Sequence, residues 1–154
     1  MITLPENPYG RAKDSLRKQL ELLQVHYPFA LKWTRLFYMY GKGQNPNSLL
    51  SQLDKALLAG EKVFNMSGGE QVRDYLPVDQ VAENIVRIAL QKKEEGIINN
   101  CSGLPITVRS FVENYLKKIN KSMVLNFGYY PYPDYEPMKF WGDTSKLQKA
   151  LKNE

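Results

Sequence analysis

Tyr9 and Lys13 lie four residues apart in the run Asn7-Pro8-Tyr9-Gly10-Arg11-Ala12-Lys13, a spacing that puts two side chains one helical turn apart on one side. A free phenol, with a pKa of about 10, is a poor proton donor or acceptor at neutral pH. An ammonium within reach favours the phenolate and lowers that value. Such a tyrosine can then exchange a proton with a carbonyl or hydroxyl near neutrality, where general acid–base catalysis is most efficient. A Tyr-x-x-x-Lys match alone is common by chance, and a half-buried tyrosine beside a solvated lysine is the simpler reading of it.

The element that must position the pair is a helix. Asn7 can cap it by accepting an unpaired N–H of the first turn, and Pro8 suits the first helical position because its missing N–H costs nothing there. Strong helix formers follow from Lys13 to Leu23. Tyr9, Ala12, Leu16, Leu20 and Leu23 recur at spacings of three and four, so they share one face and are expected to form a buried stripe. Pro28 predicts the helix end near His26, whose place there suits a partner for the C-terminal dipole.

Downstream, residues 30–40 read as an aromatic and β-branched strand, broken by the Gly41 to Pro46 loop. A helix capped by Asn47 or Ser48 carries Leu49, Leu50, Leu53, Ala56, Leu57 and Leu58 and closes at Gly60. Short strands are expected at 62–66 and 72–78, with a turn at 67–70 between them. Asp79 is expected to cap a helix burying Val81, Ile85, Ile88 and Ala89, followed by a strand at 97–101. Thr107 caps a further helix ending near Asn120, and 123–127 is another strand. Residues 128–140 form a Tyr- and Pro-rich loop whose aromatics suit either the core or a wall over a ligand. Asp143 or Thr144 starts a last helix, expected to stop at Glu154. Alternating strands and helices predict an α/β fold.

Composition narrows the function classes. The chain has 154 residues, 43% of them apolar and 24% charged, enough to bury a core. A net charge of +5 and a pI near 9.2 suit anionic ligands, but the basic residues are scattered, which argues against nucleic acid. The single cysteine, Cys101, excludes an internal disulfide and a thiolate metal site, and reads as a packed small residue. One histidine, His26, argues against a His-based metal centre or a Ser-His-Asp triad. No apolar run approaches about 18 residues, so no membrane span is expected, and no signal pattern starts the chain. A cytoplasmic setting is the default expectation. No Gly-x-Gly-x-x-Gly turn lies between a strand and a helix, so no dinucleotide pyrophosphate can be cradled by that route.

Four motifs in series resemble the C-terminal half of the extended short-chain dehydrogenase/reductases, and more narrowly the NAD-dependent nucleotide-sugar epimerases, dehydratases and 4-ketoreductases. Pro8 to Lys13 looks like the family's Tyr-x-x-x-Lys helix. Arg35-Leu36-Phe37-Tyr38-Met39-Tyr40-Gly41 is similar to its Arg-x-Phe-Asn-x-Tyr-Gly strand, with Tyr38 where the family usually has Asn. Arg73-Asp74-Tyr75-Leu76-Pro77-Val78-Asp79 resembles its Arg-Asp-Phe-Ile-His-Val-x-Asp segment, with Pro77 in place of His or Tyr. Asn99 to Arg109 resembles its strand-to-helix junction, and Phe127-Gly128…Glu136-Pro137-Met138 resembles bacterial members that act on 6-deoxy and related surface sugars.

The resemblance implies a Rossmann-like α/β fold with a substrate-binding subdomain. Residues 1–41 would hold the catalytic helix and its following strand, and 42–154 mainly the substrate subdomain. It implies NAD or NADP as cofactor and a nucleoside-diphosphate sugar as ligand. Tyr9 would be the acid/base, and Lys13 would lower its pKa and bind the nicotinamide ribose. Phe37 and Met39 would lie beside the nicotinamide, and Tyr38 beside the sugar. Arg73 would pair with the diphosphate, the alternative being an ion pair with Asp74 or Glu70. Val63, Phe64 and Met66 would flank the base. In relatives the glycine-rich cofactor turn and the Ser/Thr of the catalytic group lie upstream of the tyrosine, so this chain is expected to be a C-terminal half, inactive alone. It is expected to form a homodimer or to join a missing N-terminal half, since relatives pack the Tyr-x-x-x-Lys helix in a dimer interface. The alternative is a non-catalytic nucleotide-sugar-binding or oligomerising module.

Overall fold

The computed structural model describes residue 5 and residues 7–152; the lead-in expected over 1–6 and the stop expected at Glu154 fall, apart from residue 5, outside the described residues. Helix α1 (Pro8–His26) begins as its sequence dictates, with the Asn7 side chain accepting the Gly10 N–H at 2.7 Å. Its apolar stripe is not buried: α1 has no buried residue, and Tyr9 is 74% exposed. No other element among the described residues packs broadly against it. On its polar side Arg17 and Lys18 bind Asp14, each at 2.8 Å, and Arg17 also reaches Glu21.

The run expected as one strand is two, β1 (Lys32–Leu36) and β2 (Tyr38–Tyr40), divided at Phe37. The division is a change of partner. β1 lies parallel to β5 (Gly96–Asn100), with Leu36 opposite Asn100. β2 lies parallel to β4 (Val72–Pro77), with Tyr38 opposite Tyr75. β4 also pairs antiparallel with β6 (Pro105–Thr107), a strand too short and proline-led to stand out from its sequence.

Two apolar clusters hold this α/β framework. The larger lies between α2 (Leu49–Leu58), α4 (Val108–Lys118) and the parallel pair β3 (Val63–Asn65) and β7 (Val124–Asn126). It is built from Leu50, Leu53, Ala56, Phe64, Met66, Val108, Val112 and Leu116, with Leu53 0% exposed. Leu58, the last residue of α2, is exposed. α4 is capped as expected, Thr107 Oγ1 accepting the Ser110 N–H at 3.1 Å. The smaller cluster joins α3 (Val78–Leu90), β5 and α5 (Ser145–Leu151) through Ile88, Ile98, Leu147 and Ala150.

α3 departs from its expected boundaries. Pro77, not Asp79, occupies the cap, which leaves Asp79 in the first turn, where its charge suits the positive helix end. Its buried residues are Val81, Asn84 and Ile88, whereas Ile85 and Ala89 are exposed. The inward stripe runs through Asn84 because a partner waits there: its Nδ2 donates to Asn100 Oδ1 at 2.8 Å, and Asn100 Nδ2 donates to the Val81 carbonyl at 3.1 Å. A buried amide is tolerated when it is hydrogen-bonded. Among the described residues no helix is long and apolar enough to cross a membrane.

Candidate functional site

The partner change at Phe37 falls at the carboxyl end of β1, where the chain leaves β5 for β4. Strand ends of this kind in α/β sheets are where ligands commonly bind. Aromatic side chains cluster there. Phe37 stacks on Phe140 with ring centroids 5.0 Å apart, and Tyr38 meets Tyr75 at 5.7 Å and Phe140 edge-on at 6.4 Å. Tyr75 is itself stacked on Phe111 at 3.7 Å, which ties β4 to α4. Burial and the neighbouring Tyr38 push the Tyr75 hydroxyl up to about 12, so it stays protonated. Met39, opposite Leu76, is exposed one residue further along β2.

Arg73 stands beneath this aromatic group. It is only 2% exposed, and its guanidinium carbon lies 5.5 Å from the Tyr38 ring centroid, a cation–π contact. A buried cation must be paired. Its partner is neither Asp74 nor Glu70 but Glu136, whose Oε2 accepts from Nη2 at 3.0 Å. Nη1 donates to the carbonyls of Val72, at 2.9 Å, and Met138, at 3.4 Å. Gln71 Nε2 donates to the same Glu136 oxygen at 3.1 Å.

Asp74, next along β4, faces the other way, as strand alternation requires. It is fully buried and accepts from the Ser102 N–H and hydroxyl at 2.7 and 2.6 Å, from the Gly103 N–H at 2.9 Å and from the Gly142 N–H at 3.3 Å. One carboxylate thus fastens β4 to the turn after β5 and to the residues before α5.

The 128–140 segment is fastened along its length. The Tyr129 N–H donates to the Met66 carbonyl at 3.0 Å. Tyr132 is bonded twice to Glu70, through that residue's N–H and its carboxylate. The Val72 N–H donates to the Met138 carbonyl at 2.8 Å, and the Phe140 N–H to the Val72 carbonyl at 3.0 Å. Its aromatics are therefore mostly a surface layer, with Tyr129, Tyr130 and Tyr135 exposed. Gly69, at φ +75°, lets the 67–70 turn lie against the start of α4. A Cβ there would stand 2.9 Å from Arg109 Cβ.

The residues expected to act together fall in three places. Phe37, Tyr38 and Arg73 belong to one cluster, linked through Phe140 and the Tyr38 ring. Tyr9 and Lys13 share one side of α1, with the Lys13 nitrogen 5.7 Å from the Tyr9 ring centroid. Phe64 on β3 and Met66 just after it lie in the larger core, while Val63 is exposed. Sequence reasoning gave no role to Glu136, and to Asp74 only that of an alternative partner for Arg73. The Arg73-Asp74 adjacency on a strand was the available signal for Asp74, since alternation sends the two to opposite faces. Nothing local signalled that Glu136 would return to Arg73.

Residues 2–101 match the NAD dependent epimerase/dehydratase family. The chain is 31% identical over 143 residues to a dTDP-6-deoxy-L-talose 4-dehydrogenase (NAD(+)) of Aggregatibacter actinomycetemcomitans, an alignment covering 90% of this chain and 51% of that protein. Its fold resembles that of the UDP-N-acetylglucosamine 4-epimerase from Methanobrevibacter ruminantium M1, with a TM-score of 0.85 at 24% identity, over 97% of this chain and 49% of the other. It also resembles the UDP-glucuronic acid 4-epimerase from Bacillus cereus, solved with UDP-glucuronic acid and NAD, with a TM-score of 0.80 at 26% identity, over 98% of this chain and 48% of the other. The chain thus spans about half the length of the relatives it matches.

Proposed function

Since this chain belongs to the NAD dependent epimerase/dehydratase family, we propose that it supplies the proton-transfer helix and substrate-binding part of an enzyme that modifies a nucleoside-diphosphate sugar. The carrying observation is the cluster at the end of β1 that joins Phe37, Phe140 and Tyr38 by ring contacts and Tyr38 to buried Arg73 by a cation–π contact. It offers aromatic walls for a sugar ring and a forked guanidinium for phosphate oxygens.

The residues present fit one end of a nicotinamide cofactor. An exposed phenol with an ammonium beside it on α1 suits the nicotinamide ribose, while the sequence holds no Gly-x-Gly-x-x-Gly motif for the pyrophosphate. When bound, NAD or NADP supplies the hydride acceptor or donor. Tyr9 moves the proton at the sugar hydroxyl or keto oxygen, and Lys13 holds its ammonium beside the phenol and reaches the ribose. Phe37 and Met39 border the nicotinamide and exclude water from it. Tyr38 orients the sugar, and Arg73 pairs with the diphosphate. Val63 borders the base, and Phe64 and Met66 support that wall from the core. The reaction class is a 4-epimerisation, dehydration or 4-keto reduction, and a surface-polysaccharide precursor is the substrate class we favour. We place it in the cytoplasm. The exposed stripe of α1 would pack against a second copy or against an N-terminal half, an apolar face of the kind that marks interaction sites.

Calorimetry with UDP-, GDP-, CDP- and dTDP-sugars tests the reading. One of them binds the folded chain, Arg73→Ala abolishes the heat, and Tyr9→Phe leaves it. Absence of heat with all four, from a chain that melts cooperatively, would overturn the proposal. The 154-residue chain alone with NAD or NADP should turn over none of them. In the chain joined to the N-terminal half of a relative, Tyr9→Phe should lower the rate by about 10²–10⁴-fold, the usual loss for a missing acid–base group.

A further inference from the structure

The counter-ion of Arg73 comes from an unusual place. It is not supplied by β4, which carries Arg73, or by its neighbours β2 and β6, but by Glu136, on the segment bonded along Val72 of β4. Glu136 is 34% exposed in its side chain where Arg73 is 2%. The backbone around it is anchored independently. Tyr132 is tied to Glu70 on one side, Met138 and Phe140 are bonded to Val72 on the other, and the Glu136 N–H closes a turn on the Pro133 carbonyl at 3.1 Å. The carboxylate can therefore leave Arg73 by side-chain rotation toward water, without the segment peeling off.

We propose that Glu136 is a specificity-determining residue: an internal anion that occupies the phosphate-binding face of Arg73 and yields it only to a ligand of higher charge. The inference rests on the reading of Arg73 as the diphosphate partner. A carboxylate and a phosphate oxygen compete for the same Nη2 donor, and guanidinium forks suit both. A tethered competitor acts at a high effective concentration, so a singly charged anion displaces it poorly. A diphosphate brings more charge and more acceptor oxygens. Displacement also frees Gln71 Nε2, which donates to the same Glu136 oxygen, and so presents the incoming anion with a second donor. Meanwhile the bonds from Nη1 to the Val72 and Met138 carbonyls keep the guanidinium in place. Glu136 thereby protects a buried cation when no ligand is bound, discriminates by charge against small carboxylates, and discriminates against mononucleotides because a diphosphate has more acceptor oxygens to reach both Arg73 and Gln71.

The test is calorimetric titration of the wild-type chain and Glu136→Gln with UDP, GDP, CDP and dTDP, and with the monophosphate of whichever base binds. Glutamine keeps an oxygen for Arg73 but removes the competing charge. The variant should bind the diphosphate about tenfold more tightly, the scale of one charge-assisted hydrogen bond recovered, and its preference for diphosphate over monophosphate should shrink. Binding by the variant alone would also support the proposal. Unchanged or weaker binding by a folded variant, with the wild type binding, would overturn it and leave the diphosphate reading standing. No binding by either would remove both. Should the variant not fold, the Gln71 side-chain amide resonances of the wild type report instead. They should move when the diphosphate is added, and their failure to move at saturation would sink the idea.

Discussion

Helices α1 and α4 carry the same kind of apolar stripe and meet opposite fates. In α4 the stripe through Val108, Val112 and Leu116 is buried against α2 and β3. In α1 the stripe through Tyr9, Leu16 and Leu23 is exposed, and the helix is knit by its own ion pairs instead. Amphipathic spacing therefore announces that a face wants a cover; it does not say whether the cover lies in the same 154 residues. The packed half holds the sheet ends and Arg73 in place, and the uncovered half displays the phenol and the ammonium.

This contrast can be broken by measurement. The largest effect should come from Leu53→Ala, which empties a fully buried position in the α2–α4 cluster and should cost about 2–5 kcal/mol in urea unfolding. A loss below about 1 kcal/mol would mean that the cluster is not the stabilising half. Asp74→Asn should follow at about 1–3 kcal/mol, because the amide replaces one carboxylate oxygen with an NH2 group and so leaves the N–H of either Ser102 or Gly103 without its acceptor.

Alkaline pH probes the same packed half. Burial raises Tyr75 and Tyr115 to about 12 from 10.0 and Cys101 to about 11 from 9.0. Folding favours their neutral forms, so the stability they contribute is whole below the ordinary values and is lost as pH climbs through 11–12. Melting temperature should fall across that window, and iodoacetamide should label Cys101 far more slowly at pH 8 in the native chain than after denaturation. Leu16→Ala, on the uncovered stripe and 44% exposed, should cost less than about 1 kcal/mol in the chain alone. A loss as large as that of Leu53→Ala would show that α1 is already covered, for instance by a second copy.

The smallest effect should belong to Asp14. Hydrogen bonds from Lys18 and Arg17 hold its carboxyl near 2 rather than 3.8. The stabilisation this gives α1 is present above the ordinary value and is lost as pH falls through about 2. The far-ultraviolet helical signal of the wild type should decline over that interval, and Asp14→Asn should lose this component of the decline.

Most elements were legible because local signals agreed: Asn7 and Pro8 opened α1, and Thr107 capped α4. What escaped depends on distant chain. Phe37 divides its strand because the chain leaves β5 for β4 there, which no property of residues 30–40 encodes. Asn84 replaced Ile85 on the inner side of α3 because Asn100 stands opposite. Of the candidate site, Phe37, Tyr38 and Arg73 were singled out through the resemblance, as contacts for the nicotinamide, the sugar and the diphosphate, while the carboxylate that meets Arg73 lies 63 residues further along the chain.

The fastening of the 128–140 segment has a consequence for variation in its length. Its bonds to Glu70, Arg73 and Gln71 join residues separated by 62, 63 and 65 positions, so the two stretches advance nearly in step. A single residue added between Tyr132 and Glu136 would shift Glu136 relative to the tyrosine clasp, and Met138 would miss its donors in turn. What has the composition of a tolerant surface loop is thus a ruler, and deletions or insertions should be accepted at Gly43 or Gly60, where even a methyl group would meet open space, long before they are accepted here.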